Sequence, residues 1–216
     1  MIKAVIFDMD GVIIDSEPIE SLAWEKVLAE YDKQPIFNDN GLIHVVGRNS
    51  LEEIIKKHGL KDDPEVIRFR KRVVFADLVV QNLIPKLGFT KLLKALKKER
   101  FKLALASNRF EKHVLLIADK LKIKKSFKAI IGNSPEIKTK PAPDIFLKAA
   151  KQLGINPEYC LVIEDSEYGI VAAKRAGMKV IAVPNKYTMY QDFSKADKIV
   201  KSLSDITMKM LIGLRE

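Results

Sequence analysis

Short apolar runs alternate along this chain with amphipathic helical stretches, and that rhythm constrains the fold more than any other feature. Residues 3–7 (KAVIF), 101–106 (FKLALA), 160–163 (CLVI) and 179–183 (KVIAV) read as buried strands, with 127–131 (FKAII) a weaker fifth. Helical patterns follow at 111–121, 143–153 and 168–176, the last two stopping at Gly154 and Gly177, as helix C-termini favour. Strands that are apolar throughout must be covered on both faces, so the alternation predicts an α/β fold, a doubly wound, Rossmann-like parallel sheet. Such sheets bind their ligands at the carboxyl ends of the strands. Residues 17–83 break the rhythm: 21–31, 50–58 and 64–83 all read as helices with no strand between them. The expected organisation is a core of residues 1–16 and 84–216 with a small inserted α-helical domain at 17–83.

Composition excludes several function classes. A chain of 216 residues can bury a sizeable core without staples. Its one cysteine, Cys160, cannot close an intramolecular disulfide, which points to a reducing, cytoplasmic setting. The N-terminal apolar run is broken by Asp8 and Asp10. It reads as neither a signal peptide nor a membrane span, and no apolar run elsewhere reaches the roughly 18 residues a span needs. The net charge of +10 raises the question of nucleic acid, but 30 of the 38 basic residues are lysine. Arginine forks and aromatic platforms, the usual means of reading nucleic acid, are sparse. In residues 91–98 (KLLKALKK) the lysines take one helical face and the leucines the other, a solvated amphipathic helix. No nucleic-acid or membrane partner is expected, and the chain is expected to act as a monomer. A positive field still attracts phosphorylated metabolites.

The polar residues that carry chemistry stand at the strand ends. Asp8 follows the first strand directly and Asp10 lies two residues on, a spacing that shares one face of an extended chain. One carboxylate can attack an electrophile while the other handles a proton, provided a cation relieves their repulsion. Ser107 and Asn108 follow FKLALA; where a helix begins, a hydroxyl with backbone N–H groups suits a phosphate, though an N-cap serine looks the same. Lys140 stands in KTKPAPDIF, before a helix whose first turn is set by prolines, and Glu164 and Asp165 follow CLVI. An adjacent acidic pair suits a hard cation such as Mg2+. Each piece alone is ambiguous; nucleophile, hydroxyl, lysine and acidic pair, in this order and each at a strand end, form a specific constellation.

The run Asp8-Met9-Asp10-Gly11-Val12-Ile13-Ile14-Asp15-Ser16-Glu17 resembles the first motif of the haloacid dehalogenase superfamily. It is similar to the branch that contains β-phosphoglucomutase and small sugar-phosphate phosphatases. Ser107-Asn108 resembles the second motif, Lys140-Pro141-Ala142-Pro143-Asp144 the third, and Glu164-Asp165-Ser166 with Gly169-Ile170 the fourth. The helical insertion sits where that branch carries its cap. The resemblance implies that Asp8 is a nucleophile forming an aspartyl-phosphate, and Asp10 the acid for the leaving alkoxide and then the base for water. It implies Mg2+ held by Asp8, the backbone carbonyl of Asp10 and Asp165, with Glu164 either a ligand or a residue that orients one. It also implies that Ser107, with Asn108, and Lys140 hold the phosphoryl oxygens.

Substrate choice is expected in the insertion. That branch commonly carries a histidine at the position of Glu20, where the mutase uses it in proton control. If Glu20 faces the pocket, its charge would repel an approaching phosphate. Gly47 and Arg48, in Val46-Gly47-Arg48-Asn49-Ser50, resemble the cap loop that faces substrate; Arg48 there suits a second phosphate or a sugar hydroxyl, and equally a helix start on the surface. The expected function is a Mg2+-dependent phosphomonoesterase acting on a small phosphorylated metabolite. The alternatives are a β-phosphoglucomutase-type isomerase and, from another class, an inactive nucleic-acid-binding protein.

Overall fold

A computed structural model describes residues 1–36 and 50–214. Six strands form one parallel sheet: β1 (Ala4–Phe7), β2 (Lys102–Phe110), β3 (Ala129–Asn133), β4 (Cys160–Glu164), β5 (Lys179–Ala182) and β6 (Lys198–Ile199). Their order across the sheet is β3-β2-β1-β4-β5-β6, and every pairing is parallel. The order reverses between β1 and β4, which is where an open α/β sheet leaves a crevice at its carboxyl edge. β1 and β4 are buried along their whole length, which explains why they read as unbroken apolar runs.

The strands alternate as pleating requires. Ala4 and Ile6 of β1, Ala104 of β2, Val162 of β4 and Val180 of β5 join one core cluster, with Ile145, Phe146 and Leu153 of α6 (Asp144–Leu153) and Ile170 and Ala173 of α7 (Glu167–Arg175). Phe7 lies in the other register, its ring edge-on to Phe89 at 5.7 Å and to Phe127 at 6.1 Å between centroids. Phe89 begins α4 (Phe89–Lys98), and α5 (Glu111–Lys120) follows β2.

By its internal contacts the chain divides into two compact units, Met1–Asp15 with Ile84–Glu216 and Ser16–Leu83. The second unit contains α1 (Glu17–Ala29), α2 (Ser50–His58) and α3 (Pro64–Asn82) around Trp24, Val27, Leu28, Leu51, Ile54, Leu60 and Ile67. Trp24 is a packing residue of this core. Within the first unit the chain leaves and rejoins side by side: Ile14 bridges Pro85, and the Lys86 N–H donates to the Ile13 carbonyl at 2.7 Å.

Four features differ from the sequence-based reading. α1 begins at Glu17 rather than at residue 21, with Pro18 in its first turn, where a missing N–H costs nothing. β2 runs to Phe110 rather than to residue 106, because its pairing with β3 resumes at Phe110 opposite Asn133 after a register shift. β6 is two exposed edge residues with a weak apolar signal. A short C-terminal helix, α8 (Met208–Gly213), also lay outside the prediction. Among the described residues no helix is long and apolar enough to cross a membrane.

Candidate active site

Asp8 and Asp10 past the end of β1, Ser107 late in β2, Lys140 between β3 and α6, and Glu164 and Asp165 at the end of β4 lie together. Register sets the first contact: Phe7 pairs with Ile163, so Asp8 and Glu164 emerge side by side from adjacent strands. Lys140 meets both. Its Nζ donates to Asp8 Oδ1 at 2.5 Å, to Glu164 Oε1 at 2.7 Å and to the Ala106 carbonyl at 3.2 Å. All three residues are buried. Burial alone would push the Lys140 ammonium down, but the two carboxylates overcome it and hold it above the ordinary lysine value. Burial, with Glu164 and Asp10 nearby, pushes Asp8 up despite Lys140. Burial also raises Asp165, aided by the charges of Glu164 and Asp8 and opposed by Lys86. The site thus carries more negative charge than its one buried ammonium offsets.

Glu164 is fully engaged. Its Oε2 accepts from the N–H groups of Asp165 and Ser166, both at 2.8 Å, and from the Ser166 hydroxyl at 3.0 Å. Ser166 in turn caps α7 by accepting from the Gly169 N–H at 3.2 Å. Residue 169 has to be glycine, since a Cβ there would fall on the Glu164 carboxylate. Gly11, in the left-handed region at φ 73°, serves Asp165 likewise: a Cβ there would fall on Asp165 Oδ2.

Asp10 faces a different partner. Arg109 Nε donates to Asp10 Oδ1 at 3.2 Å and to Oδ2 at 3.1 Å, and Nη2 donates to Oδ1 at 2.6 Å. The Ser107 hydroxyl donates to Asp10 Oδ2 at 3.3 Å and accepts from the Arg109 N–H at 3.1 Å. The chain bends at Met9 and bridges Ile14 from Asp10, and Asp10 stays near enough to Asp8 for its charge to act on that carboxyl. Nor is Ser107 at a helix start: the residue before α5 is Phe110, which makes no side-chain cap. Asn108 points its side chain at Lys140, accepting from its backbone N–H at 2.8 Å, and so positions the lysine.

Among the described residues, no three His, Cys, Asp or Glu side chains form a ready metal cluster. Both oxygens of Asp10 accept from Arg109 and both of Glu164 from Lys140 or the start of α7, whereas Asp8 accepts from Lys140 through Oδ1 and Asp165 from Asn185 through Oδ2. Asp8 and Asp165 remain as side-chain donors. Two carboxylates, with a backbone carbonyl and the substrate's own phosphate, are an ordinary donor set for Mg2+, and the excess negative charge fits a cation.

Three residues were not singled out from sequence. Asn185 donates to Asp165 Oδ2 at 2.7 Å, and Lys86 Nζ donates to the Gly11 carbonyl at 2.5 Å. Arg109 is the third. Extending the strand-end rule by two or three residues past each strand would have reached Arg109 and Asn185. Lys86 lies where the insertion returns and has no such signal.

Glu20 lies in the helical unit, on α1, in an ion pair with Lys71 of α3; both side chains are largely buried. Lys71 offsets part of its charge locally. Gly47 and Arg48 lie outside the described residues.

The pattern of the haloacid dehalogenase-like hydrolase family matches residues 5–183. This chain belongs to that family. The hydrolase is 35% identical to the β-phosphoglucomutase of Bacillus subtilis, over 97% of this chain and 93% of that protein. It is also 35% identical to the phosphoglycolate phosphatase of Aquifex aeolicus, over 82% of each. Among solved structures, CbbY from Rhodobacter sphaeroides in complex with phosphate superposes with a TM-score of 0.81 at 25% identity, covering 95% of this chain and 96% of that one.

Proposed function

We propose that this hydrolase is a Mg2+-dependent phosphomonoesterase acting on a small phosphorylated metabolite. The observation that carries the reading is the buried Lys140, which contacts Asp8 and Glu164 at once. Held this way, the Asp8 carboxylate has one oxygen fixed by the ammonium and the other free to attack phosphorus in line. Mg2+ would be held by the carboxylates of Asp8 and Asp165 and the carbonyl of Asp10, and when bound it offsets the charge of the phosphoryl oxygens. Ser107 and Lys140 bind those oxygens and Asn108 keeps Lys140 in place. Glu164 orients Lys140 and Asp165 through oxygens that are already engaged. Asp10, released from Arg109 and protonated from solvent, gives its proton to the alcohol oxygen as the bond from phosphorus to that oxygen breaks; left as a carboxylate, it then takes a proton from the water that cleaves the aspartyl-phosphate. The second aspartate fits an alkoxide leaving group. The helical unit is proposed to set substrate choice.

A second reading, phosphosugar isomerisation, is favoured by the 35% identity with a β-phosphoglucomutase. The two are separated by offering β-glucose 1-phosphate with a bisphosphate primer and Mg2+, and measuring inorganic phosphate and glucose 6-phosphate together. Hydrolysis needs only that Asp10 direct water at the phosphoenzyme, whereas transfer to a second hydroxyl requires water to be excluded throughout. We expect inorganic phosphate to form faster, and no turnover in excess EDTA. Glucose 6-phosphate accumulating with little free phosphate would establish the isomerase.

A further inference from the structure

The loop that follows β5 holds the turn between β4 and α7 in place. β5 lies beside β4 with Ala182 opposite Glu164, and the Val183 N–H donates to the Glu164 carbonyl at 2.7 Å. The residues just past β5 therefore run alongside Asp165. Asn185 Nδ2 donates to Asp165 Oδ2 at 2.7 Å, and Gln191 Oε1 accepts from the Glu167 N–H at 2.8 Å. The side chain of Asn185 is itself fixed. Its Oδ1 accepts from the N–H of the buried Tyr187 at 2.8 Å, a turn that asparagine favours, and its backbone N–H donates to the Thr188 hydroxyl at 3.1 Å. With the amide oxygen used by the turn, the amide nitrogen is what faces Asp165, as a donor to a carboxylate must.

A carboxylate turns easily about its last torsion, so an aspartate that meets a cation through one oxygen is best held by the other. Asp165 is buried, and its Oδ2 lies between Asn185 and Gly11, where a Cβ on residue 11 would fall on it. The oxygen left for a cation is Oδ1. Mg2+ demands near-ideal octahedral geometry, whereas Ca2+ accepts a larger and more flexible set of oxygens. The orientation of one carboxylate therefore matters more to the smaller ion. We propose that Asn185 is a positioning residue: by fixing Asp165 Oδ2 it presents Oδ1 to the cation, and it gives the site its preference for Mg2+ over Ca2+. Its role is exerted through Asp165. The inference rests on the phosphatase reading above for the place of the cation and adds what selects it.

The test measures Mg2+ and Ca2+ binding by titration calorimetry, without substrate, for the wild type, Asn185→Ala and Asn185→Ser. Alanine removes both the amide and the turn. Serine keeps an acceptor for the Tyr187 N–H but stops short of Asp165, and it decides the matter if the alanine variant does not fold. Mg2+ binding should weaken by about tenfold or more in both variants, the usual effect of losing a group that orients a metal ligand, while Ca2+ binding should change by about threefold or less. Hydrolysis of para-nitrophenyl phosphate should show the same split. The Mg2+ concentration for half-maximal rate should rise by about tenfold, with kcat at saturating Mg2+ within about threefold of the wild type. Mg2+ affinity unchanged in the serine variant, or Mg2+ and Ca2+ affinity lost in equal proportion, would overturn the inference while leaving the phosphatase reading intact. A wild type that binds Mg2+ through Asn185 as expected but hydrolyses no phosphomonoester would overturn that reading and leave the inference standing. A wild type that neither binds Mg2+ nor needs it for hydrolysis would overturn both.

Discussion

Lys140 shows how one side chain comes to dominate a site. In the sequence it is one of 30 lysines, marked only by the prolines that follow; in the fold it is buried, with two carboxylates and a carbonyl around its ammonium. Lys140→Met should therefore do two things. It should cut phosphatase turnover by about a hundredfold or more, because a fixed positive charge at the phosphoryl group is lost. It should also lower stability in the absence of Mg2+ by about 3–5 kcal/mol, since Asp8 and Glu164 would be left buried without their cation. Urea unfolding and an assay on para-nitrophenyl phosphate would measure the two, and a variant that keeps wild-type stability would contradict the picture of a shared ammonium. Asp8, Asp10, Glu164 and Asp165 could be singled out because each stands at or just past the end of an apolar run, and Ser107 because the apolar run of β2 stops at Ala106. Arg109 and Asn185 were not, because their importance lies in a partner far away in sequence: 99 residues separate Arg109 from Asp10 and 20 separate Asn185 from Asp165.

Elements buried on both faces were legible and elements at the margin were not. β1 and β4 can only be strands inside a covered sheet, whereas β6 is two exposed residues held by what precedes it. Asp197 does that holding. Its carboxylate accepts from Lys174 Nζ of α7 at 2.8 Å, from the Val180 N–H of β5 at 2.8 Å and from Lys179 Nζ at 3.2 Å. Partial burial pushes its carboxyl up, but the hydrogen bonds from Lys174, Val180 and Lys179 outweigh this and leave it below the usual carboxylate range. A carboxyl lowered by folding stabilises the protein above its unfolded value and stops doing so as pH falls through its folded one. Asp197→Ala should cost about 2 kcal/mol near neutral pH, and the deficit should shrink as the pH is brought below about 4. Urea midpoints across that range would show it, and a deficit independent of pH would assign the loss to packing. The end of β2 makes a related point: the residues after Ala106 carry no apolar pattern, yet pairing at Phe110 with Asn133 carries the strand past Ser107. Local sequence placed a helix start there and tertiary pairing moved it to Glu111.

At the scale of the whole molecule, a sheet whose strand order reverses between β1 and β4 gathers Asp8, Lys140, Glu164 and Asp165 at its carboxyl edge, and a helical insertion interrupts the chain after the first strand. The alternation of strands and helices, interrupted once, made both parts readable. The substrate was not readable in the same way, because it depends on which side chains of the insertion and of the strand ends meet the leaving alcohol. Glu20 illustrates this: its identity in the sequence gives a charge, and only the fold adds the ion pair with Lys71. The central claim is that Asp8 attacks phosphorus, and it is tested most directly by hydrolysis of para-nitrophenyl phosphate with Mg2+ by Asp8→Asn beside the wild type. The amide keeps the shape of the side chain and cannot act as a nucleophile, so turnover should fall by about a thousandfold or more. An Asp8→Asn protein that hydrolyses the ester at the wild-type rate would contradict the account.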